Sequence, residues 1–241
     1  MSFYSFLFGG DYQAVNAVDF EASQYAERGT DLTGLTDSSK GIFFCFINTT
    51  VTTAGSLVLG NASNNFAVYF ANGSLAIACT NGSNSLQFGG AAGLGSGTWR
   101  SVLGSWDTNF ASGARLSHLY IDDVSSKTIT ADNGAAFNVD YTDTNWSCGA
   151  RVGGTNPLTA CMANIYFAPG QYLDLSITAN RRKFITAANK PVGLGDYGGT
   201  PTGTAPAVFF GNSAERFFVN KGTGGNFVPT GQLGICSSTP A

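Results

Sequence analysis

The side chains with the most chemical potential in this sequence are its carboxylates. Asp19 and Glu21 alternate in Val18-Asp19-Phe20-Glu21, so in a strand both point to one face. Two carboxylates roughly 5–10 Å apart on one cleft face are what glycoside hydrolysis needs. A solvated strand face accounts for the same alternation. Asp107, Asp122, Asp123, Asp140 and Asp143 fall in turn-like stretches beside asparagines. Of these, Asp107, Asp122 and Asp123 are the candidate metal ligands. Calcium is the candidate cofactor, since it takes six to eight oxygens from carboxylates, carbonyls and water. Asp and Asn also favour turns for backbone reasons alone. The one histidine, His118, lies in the strand-like Leu116-Ser117-His118-Leu119-Tyr120-Ile121 with no Ser or Cys motif around it. It reads as structural or surface, and a single histidine excludes the common multi-histidine metal sites. No catalytic residue is assigned, and the chain reads as a non-enzyme.

Sugar sites commonly present an aromatic ring to a pyranose face. Trp99 and Trp106 lie in apolar runs and read as core. Trp146 follows Asp140-Tyr141-Thr142-Asp143-Thr144-Asn145, so Tyr141, Asp143, Asn145 and Trp146 form the candidate carbohydrate set, with packing at a strand start as the other reading of Trp146. The glycine-rich Gly89–Gly97 lacks the G-K-[ST] ending of a phosphate loop and leads to a strand, so it reads as a long flexible loop. Arg181-Arg182-Lys183 reads as a solvated helix face. Five N-x-[ST] sequons read as unmodified turns and strand ends.

Those residues need elements to position them. The chain has 241 residues, 32 of them glycine, with 43% hydrophobic and 13% aromatic residues, which excludes disorder. Charged residues are only 11% and the net charge is −3, against the basic excess expected of a nucleic-acid binder. No apolar run is long enough for a transmembrane helix. The apolar start Met1–Phe8 precedes the first basic residue, Arg28, so no secretory signal is read. The five cysteines are therefore expected as thiols.

Short runs rich in β-branched and aromatic residues recur between Gly, Asn, Ser and Thr clusters. Ile42–Ile47 is apolar on both faces, as in a strand covered on both sides. Residues 66–88 read as a meander turning at Asn72-Gly73 and Asn81-Gly82. Trp99–Trp106 with Ser117–Val124 forms an expected strand pair, and Trp146–Val152 with Met162–Phe167 another. Ala207–Phe210 and Phe217–Asn220 read as later strands, and Ser237–Ala241 as a frayed tail. Ile177, Phe184, Ile185 and Ala188 share one helical face, which predicts one short C-terminal helix over about 176–189, stopped by Lys190-Pro191.

The order of several short motifs resembles the concanavalin A-like, laminin-G-like jelly-roll family. They are Trp99-Arg100-Ser101-Val102-Leu103-Gly104-Ser105-Trp106-Asp107, then Leu119-Tyr120-Ile121-Asp122-Asp123, then Cys148–Gly154 and Ala163-Asn164-Ile165-Tyr166-Phe167. The resemblance covers roughly residues 15–170. It implies an all-β jelly-roll sandwich of two antiparallel sheets. Asp123 stands where the family usually has Gly, and Asn164 where it often has Asp. The enzymatic relatives' E-x-D-x-E strand is absent. Phe167–Ser176, Lys190–Gly195 and Asn220–Phe227 are similar to extensions on lectin-like proteins of tailed bacteriophages.

Together these imply a single domain over 1–241, with 170–241 an extension of helix and strands packed on it. The expected role is a non-enzymatic virion structural protein, a capsid decoration or a tail or fibre component, made in the host cytoplasm. Its expected partners are other virion proteins in an oligomeric assembly, with host glycans as a further ligand class and neither nucleic acid nor membrane. Low charge fits a subunit that buries surface against neighbours. The alternatives are a free carbohydrate-binding module and, more remotely, a glycan hydrolase using Asp19 and Glu21.

Overall fold

A computed structural model describes residues 12–21, 23–91 and 93–240. The apolar start Met1–Phe8 lies outside them. The described residues form a jelly-roll β-sandwich of two eight-stranded antiparallel sheets. Along the chain the elements are β1 (Val18–Phe20), β2 (Tyr25–Arg28), β3 (Lys40–Asn48), β4 (Leu57–Asn61), β5 (Phe66–Ala71), β6 (Ser74–Thr80), β7 (Ser85–Gly90) and β8 (Arg100–Asp107). They continue as β9 (Leu116–Ile121), β10 (Val124–Ser125), β11 (Thr128–Asn133), β12 (Trp146–Cys148), β13 (Ala160–Pro169), α1 (Thr178–Arg181), β14 (Val208–Phe210), β15 (Val228–Thr230) and β16 (Gly234–Ile235). The first sheet runs β10-β9-β8-β3-β13-β1-β16, with β14 also paired to β13. The second runs β11-β7-β6-β5-β4-β12-β2-β15.

Alternation places the core. Phe43, Cys45 and Ile47 of β3 point between the sheets, as do Phe66, Val68 and Phe70 of β5. Phe66 clusters with Phe167, ring centroids 4.4 Å apart, and with Trp106, 5.4 Å away. The other face of β3 carries Ile42, Phe44 and Phe46. Leu175, Phe184, Ile185, Val192, Leu194 and Phe209 cover it, all from the chain after β13. The two-sided apolar character of Ile42–Ile47 is thus explained: a C-terminal strap over residues 170–211 forms a third layer. The chain beyond the strap also enters the central core through Phe217, Phe218, Phe227 and Leu233.

The meander is present as β5, β6 and β7. At its first turn Asn72 (φ 49°) and Gly73 (φ 82°) are both left-handed, the geometry that matches the twist of a two-residue hairpin. The second turn differs. Thr80 pairs with Ser85 across a four-residue loop, and the Asn81 side chain accepts from Ser83 and Asn84 N–H groups. Gly89 and Gly90 end β7 rather than opening a loop.

Five expectations need correction. β12 and β13 do not pair, because β12 crosses to the second sheet and lies between β4 and β2. The helix is four residues, Thr178–Arg181, and not a run over 176–189. Phe184 and Ile185 satisfy the helical spacing by turning inward onto the sheet, where Ile185 bridges to Pro191. Phe217–Asn220 is a turn following a short 3-10 segment, not a strand. The tail is tied rather than frayed. Cys236 is disulfide-bonded to Cys161, and Trp99 Nε1 donates to Ser238 Oγ at 3.0 Å. So two of the five cysteines are bridged, while Cys45, Cys79 and Cys148 are buried free thiols.

The basic triplet is not a solvated face either. Arg181 is buried, bonds the carbonyls of Leu175 and Ser176, and stacks over the Tyr120 ring. Arg181 and Arg182 both donate to Asp123. Asp122 and Asp123 are both left-handed in the β9–β10 turn, and Asp123 uses that position to anchor the strap. Burial alone would raise the Asp123 pKa, but the bonds and charges of Arg182 and Arg181 outweigh it, and the net direction is down.

A carboxylate lowered in the folded state stabilises fully above the unfolded value near 4, and that contribution is lost as pH falls through the folded value. Asp123→Asn is therefore expected to cost about 2 kcal/mol at pH 7, the scale of charge-assisted bonds. The difference from the parent should shrink as pH falls below about 4. Urea melts of both proteins at pH 7 and pH 3 check this.

Candidate functional site

The carbohydrate set read from the sequence does not form a binding surface. Trp146 and Tyr141 are both 0% exposed. Trp146 is the first residue of β12 and faces inward against Phe66 and Phe167, with its Nε1 donating to the Asp143 carbonyl at 2.9 Å. The Tyr141 hydroxyl accepts from Trp106 Nε1 at 2.9 Å inside the same cluster. Neither ring offers a face to a sugar. Asp143 is partly buried, its Oδ1 accepting from the Thr144 N–H, and Asn145 is exposed at a left-handed turn. The polar neighbours that suggested a site are the turn leading into an inward-facing strand.

The candidate metal ligands do not converge. Asp107 lies opposite Leu116, whereas Asp122 lies beyond Ile121, opposite Ser101, so the two mark opposite ends of the β8–β9 pair. Six residues of strand separate them, roughly 20 Å. Each also has a partner. Asp107 accepts from the Asn109 N–H, Asp122 bonds Arg100 at 2.6 Å and the Ser101 N–H at 2.9 Å, and Asp123 holds the two strap arginines. This arrangement does not fit a calcium ion bound by the three.

His118 is a packing residue between β9 and the strap. Its Nε2 is 3.0 Å from the Tyr172 hydroxyl and 3.5 Å from Asp174. Burial lowers its pKa, against the pull of Asp174, and burial pushes Tyr172 up to about 12. Asp19 and Glu21 lie close enough that Glu21 adds to the burial that raises Asp19. Asp19 sits beside the bridged Cys161, 3.9 Å from its Sγ.

The outer face of the second sheet is open only in part, Ser147, Gly60 and Ala67 being buried. Register places Ser147, Gly60, Ala67, Ala78, Gln87 and Ala131 in one row across six strands. The adjacent row holds Tyr69, Ala76, Gly89 and Thr128. These alternate with the core residues Val68, Ile77, Leu86 and Phe88, so they form the outer face. Its floor is alanine and glycine. At Gly89 a Cβ would come within 2.8 Å of the Leu75 carbonyl, so the floor there admits no side chain.

Over β5, β6, β7 and β11 this floor opens into a groove of about 680 Å³. Asn72, Ser74, Gln87, Ser126, Thr128 and Thr130 supply its polar lining, and among the described residues no charged side chain contributes. Gln87 Nε2 donates to the Tyr69 hydroxyl at 2.8 Å, which fixes the amide. Arg151 lies over the Tyr69 ring just outside the groove.

No protein-family model matches the chain, and no curated protein matches it. Solved structures do. A Bacteroides ovatus protein with inferred carbohydrate-binding function matches with a TM-score of 0.63 at 12% identity, over 95% of this chain and 62% of that one. The two share a fold. The mouse laminin alpha1 chain, domains LG4-5, matches with a TM-score of 0.48 at 18% identity, over 73% of this chain and 49% of that one. The LG1-3 region of the laminin alpha2 chain gives 0.49 at 14% identity, over 64% of this chain and 31% of that one. The chain thus spans less than two thirds of each of these structures. Such identities speak to the sandwich and not to any activity.

Sequence reasoning missed the groove because alanine and glycine carry no chemical signature. The signal present was the outward-facing small residues of 67–89, alternating with large ones.

Proposed function

We propose that this chain is a non-enzymatic binding module that takes a neutral glycan along the outer face of its second sheet. The observation that carries the reading is the uncharged groove on the sheet that the strap leaves open. A flat floor of Ala76 and Gly89 suits a ring laid on it, and amide and hydroxyl groups at its sides match the donors and acceptors of a sugar. The absence of charge along the lining favours a neutral ligand over a uronic or sulfated one. The fold shared with the Bacteroides protein of inferred carbohydrate binding is consistent with this.

The test is a glycan array followed by calorimetry on the full chain. Neutral oligosaccharides are expected to bind, with and without calcium. Gln87→Ala combined with Thr128→Ala is expected to weaken binding at least roughly tenfold while leaving the thermal midpoint within a few degrees, since both residues are surface groups. Arrays blank in both conditions would overturn the reading.

The narrower virion role rests on the similarity of residues 167–227 to phage lectin-like extensions. None of the three structures described above is a virion protein. Mass spectrometry of purified particles tests it, and absence from both heads and tails would end it. Within this reading the strap and the later strands form one unit with the sandwich rather than a second domain.

A further inference from the structure

A second cavity, of about 230 Å³, lies on the opposite side of the molecule, within the layer that covers the first sheet. Its walls are Gln13 and Asn16 ahead of β1, Asn164 of β13, Phe209 of β14, and Asp196 and Lys221. The Gln13 N–H donates to the Pro191 carbonyl at 3.0 Å, which fastens the N-terminal wall to the strap. The Lys221 ammonium stands over the Phe209 ring, 5.0 Å from its centre.

Asn164 is the unusual member. It lies inside β13 at φ 51°, where the register against β3 shifts between Ala163 and Tyr166. Bulges of this kind re-aim side chains and recur beside functional sites. A left-handed non-glycine residue within a strand is also a strained choice. The residue is 4% exposed. A Cβ on Gly211, another wall residue, would come within 3.0 Å of the Asn164 Oδ1, so the amide stands at the cavity wall. Its carboxamide has no hydrogen-bond partner among the described residues.

We infer that this cavity binds a single neutral sugar ring. The carboxamides of Gln13, Asn16 and Asn164 offer donors and acceptors to hydroxyls, and Asp196 and Lys221 add one strong acceptor and one strong donor whose charges cancel. Phe209, Val192 and Leu194 are apolar members of the lining. The site does not depend on the groove, which lies on the other sheet, so either can fail alone. If both bind, one chain bridges two glycans.

The experiment is a titration of the full-length, isotope-labelled chain, followed by amide chemical shifts. The probes are the methyl glycosides of glucose, galactose, mannose and N-acetylglucosamine, added separately, with glycine as a zwitterionic control. At least one glycoside is expected to move the amides of Asn164, Asp196, Gly211 and Lys221, with a dissociation constant on the order of 1 mM, the range for a small polar ligand. Asn164→Gly keeps the left-handed backbone without the amide, and Asp196→Ala changes an exposed residue. Each is expected to weaken binding at least roughly tenfold with the rest of the spectrum unchanged. No shift with any glycoside up to ~50 mM, shifts unaltered in both variants, or binding of glycine alone would overturn the proposal.

Discussion

Replacing Arg115 by methionine is expected to cost about 3–5 kcal/mol of folding stability, the range for removing one partner of a buried, hydrogen-bonded ion pair. The Arg115 side chain is fully enclosed and stacks over the Phe137 ring. All five of its donors are used. Nε bonds the Phe110 carbonyl, one terminal nitrogen bonds the Ser85 carbonyl and Asp132, and the other bonds the carbonyls of Gly134 and Ala135. It thereby fastens β7, β11, the β8–β9 connection and the turn after β11 into one corner of the sandwich. Methionine fills similar space but leaves the Asp132 carboxylate, 12% exposed, without its charge partner. Arg115→Lys should recover only part of the loss, because an ammonium cannot address that many acceptors in one plane. Urea unfolding at pH 7 measures both variants, and a cost below about 1 kcal/mol for methionine would show that the corner does not depend on this residue.

Opening the Cys161–Cys236 bridge is the second large expected effect. The bridge spans 75 residues, for which restriction of the unfolded chain is worth about 4 kcal/mol. The double Cys161→Ser, Cys236→Ser variant should lose that amount, and reductant should bring the parent down to match it. Thiol counting gives an independent check. Burial raises the pKa of Cys45, Cys79 and Cys148, so these thiols are sealed and unreactive in the folded protein. Without reductant, none should react with a thiol reagent under native conditions and three should react in denaturant. Five reactive thiols in denaturant would mean the bridge does not form. The expectation of five thiols fails structurally because β16 brings Cys236 alongside β1, next to Cys161 on β13. Nothing local in the sequence marks two residues so far apart as neighbours.

That contrast holds across the molecule. What alternation and turn chemistry encode was readable: β3 covered on both faces, the β5–β6–β7 meander and the β8–β9 pair, while the two-sheet architecture came from the resemblance to the jelly-roll family. What depends on a distant partner was not. Arg181 and Arg182 look like a solvated face until the β9–β10 turn delivers Asp123 to them. Trp146 looks like a ligand platform because its polar neighbours precede it, but β12 lies between two strands and turns the ring inward. The helix expected over 176–189 is only Thr178–Arg181 for a similar reason. Apolar residues at helical spacing also suit a chain that wraps a sheet and drops Phe184 and Ile185 into it. The groove left only a faint trace in the sequence, small residues alternating with large ones over 67–89, because its defining property is the smallness of its floor.

The wiring of the two short N-terminal strands bears on how this chain is made. β1 pairs with β13 and β16, and β2 pairs with β12 and β15. Among the described residues, every strand paired with either of them is therefore synthesised more than a hundred residues later. While the nascent chain emerges from the ribosome, Val18, Phe20 and Ala26 have no sheet to join. The β5–β7 meander can form early from local pairs, but neither sheet closes its far edge until β15 and β16 have left the exit tunnel. Such non-local closure is slow and leaves unpaired strand edges exposed in the meantime. Chaperone dependence during synthesis, and aggregation of fragments lacking the last strands, are the costs this topology carries.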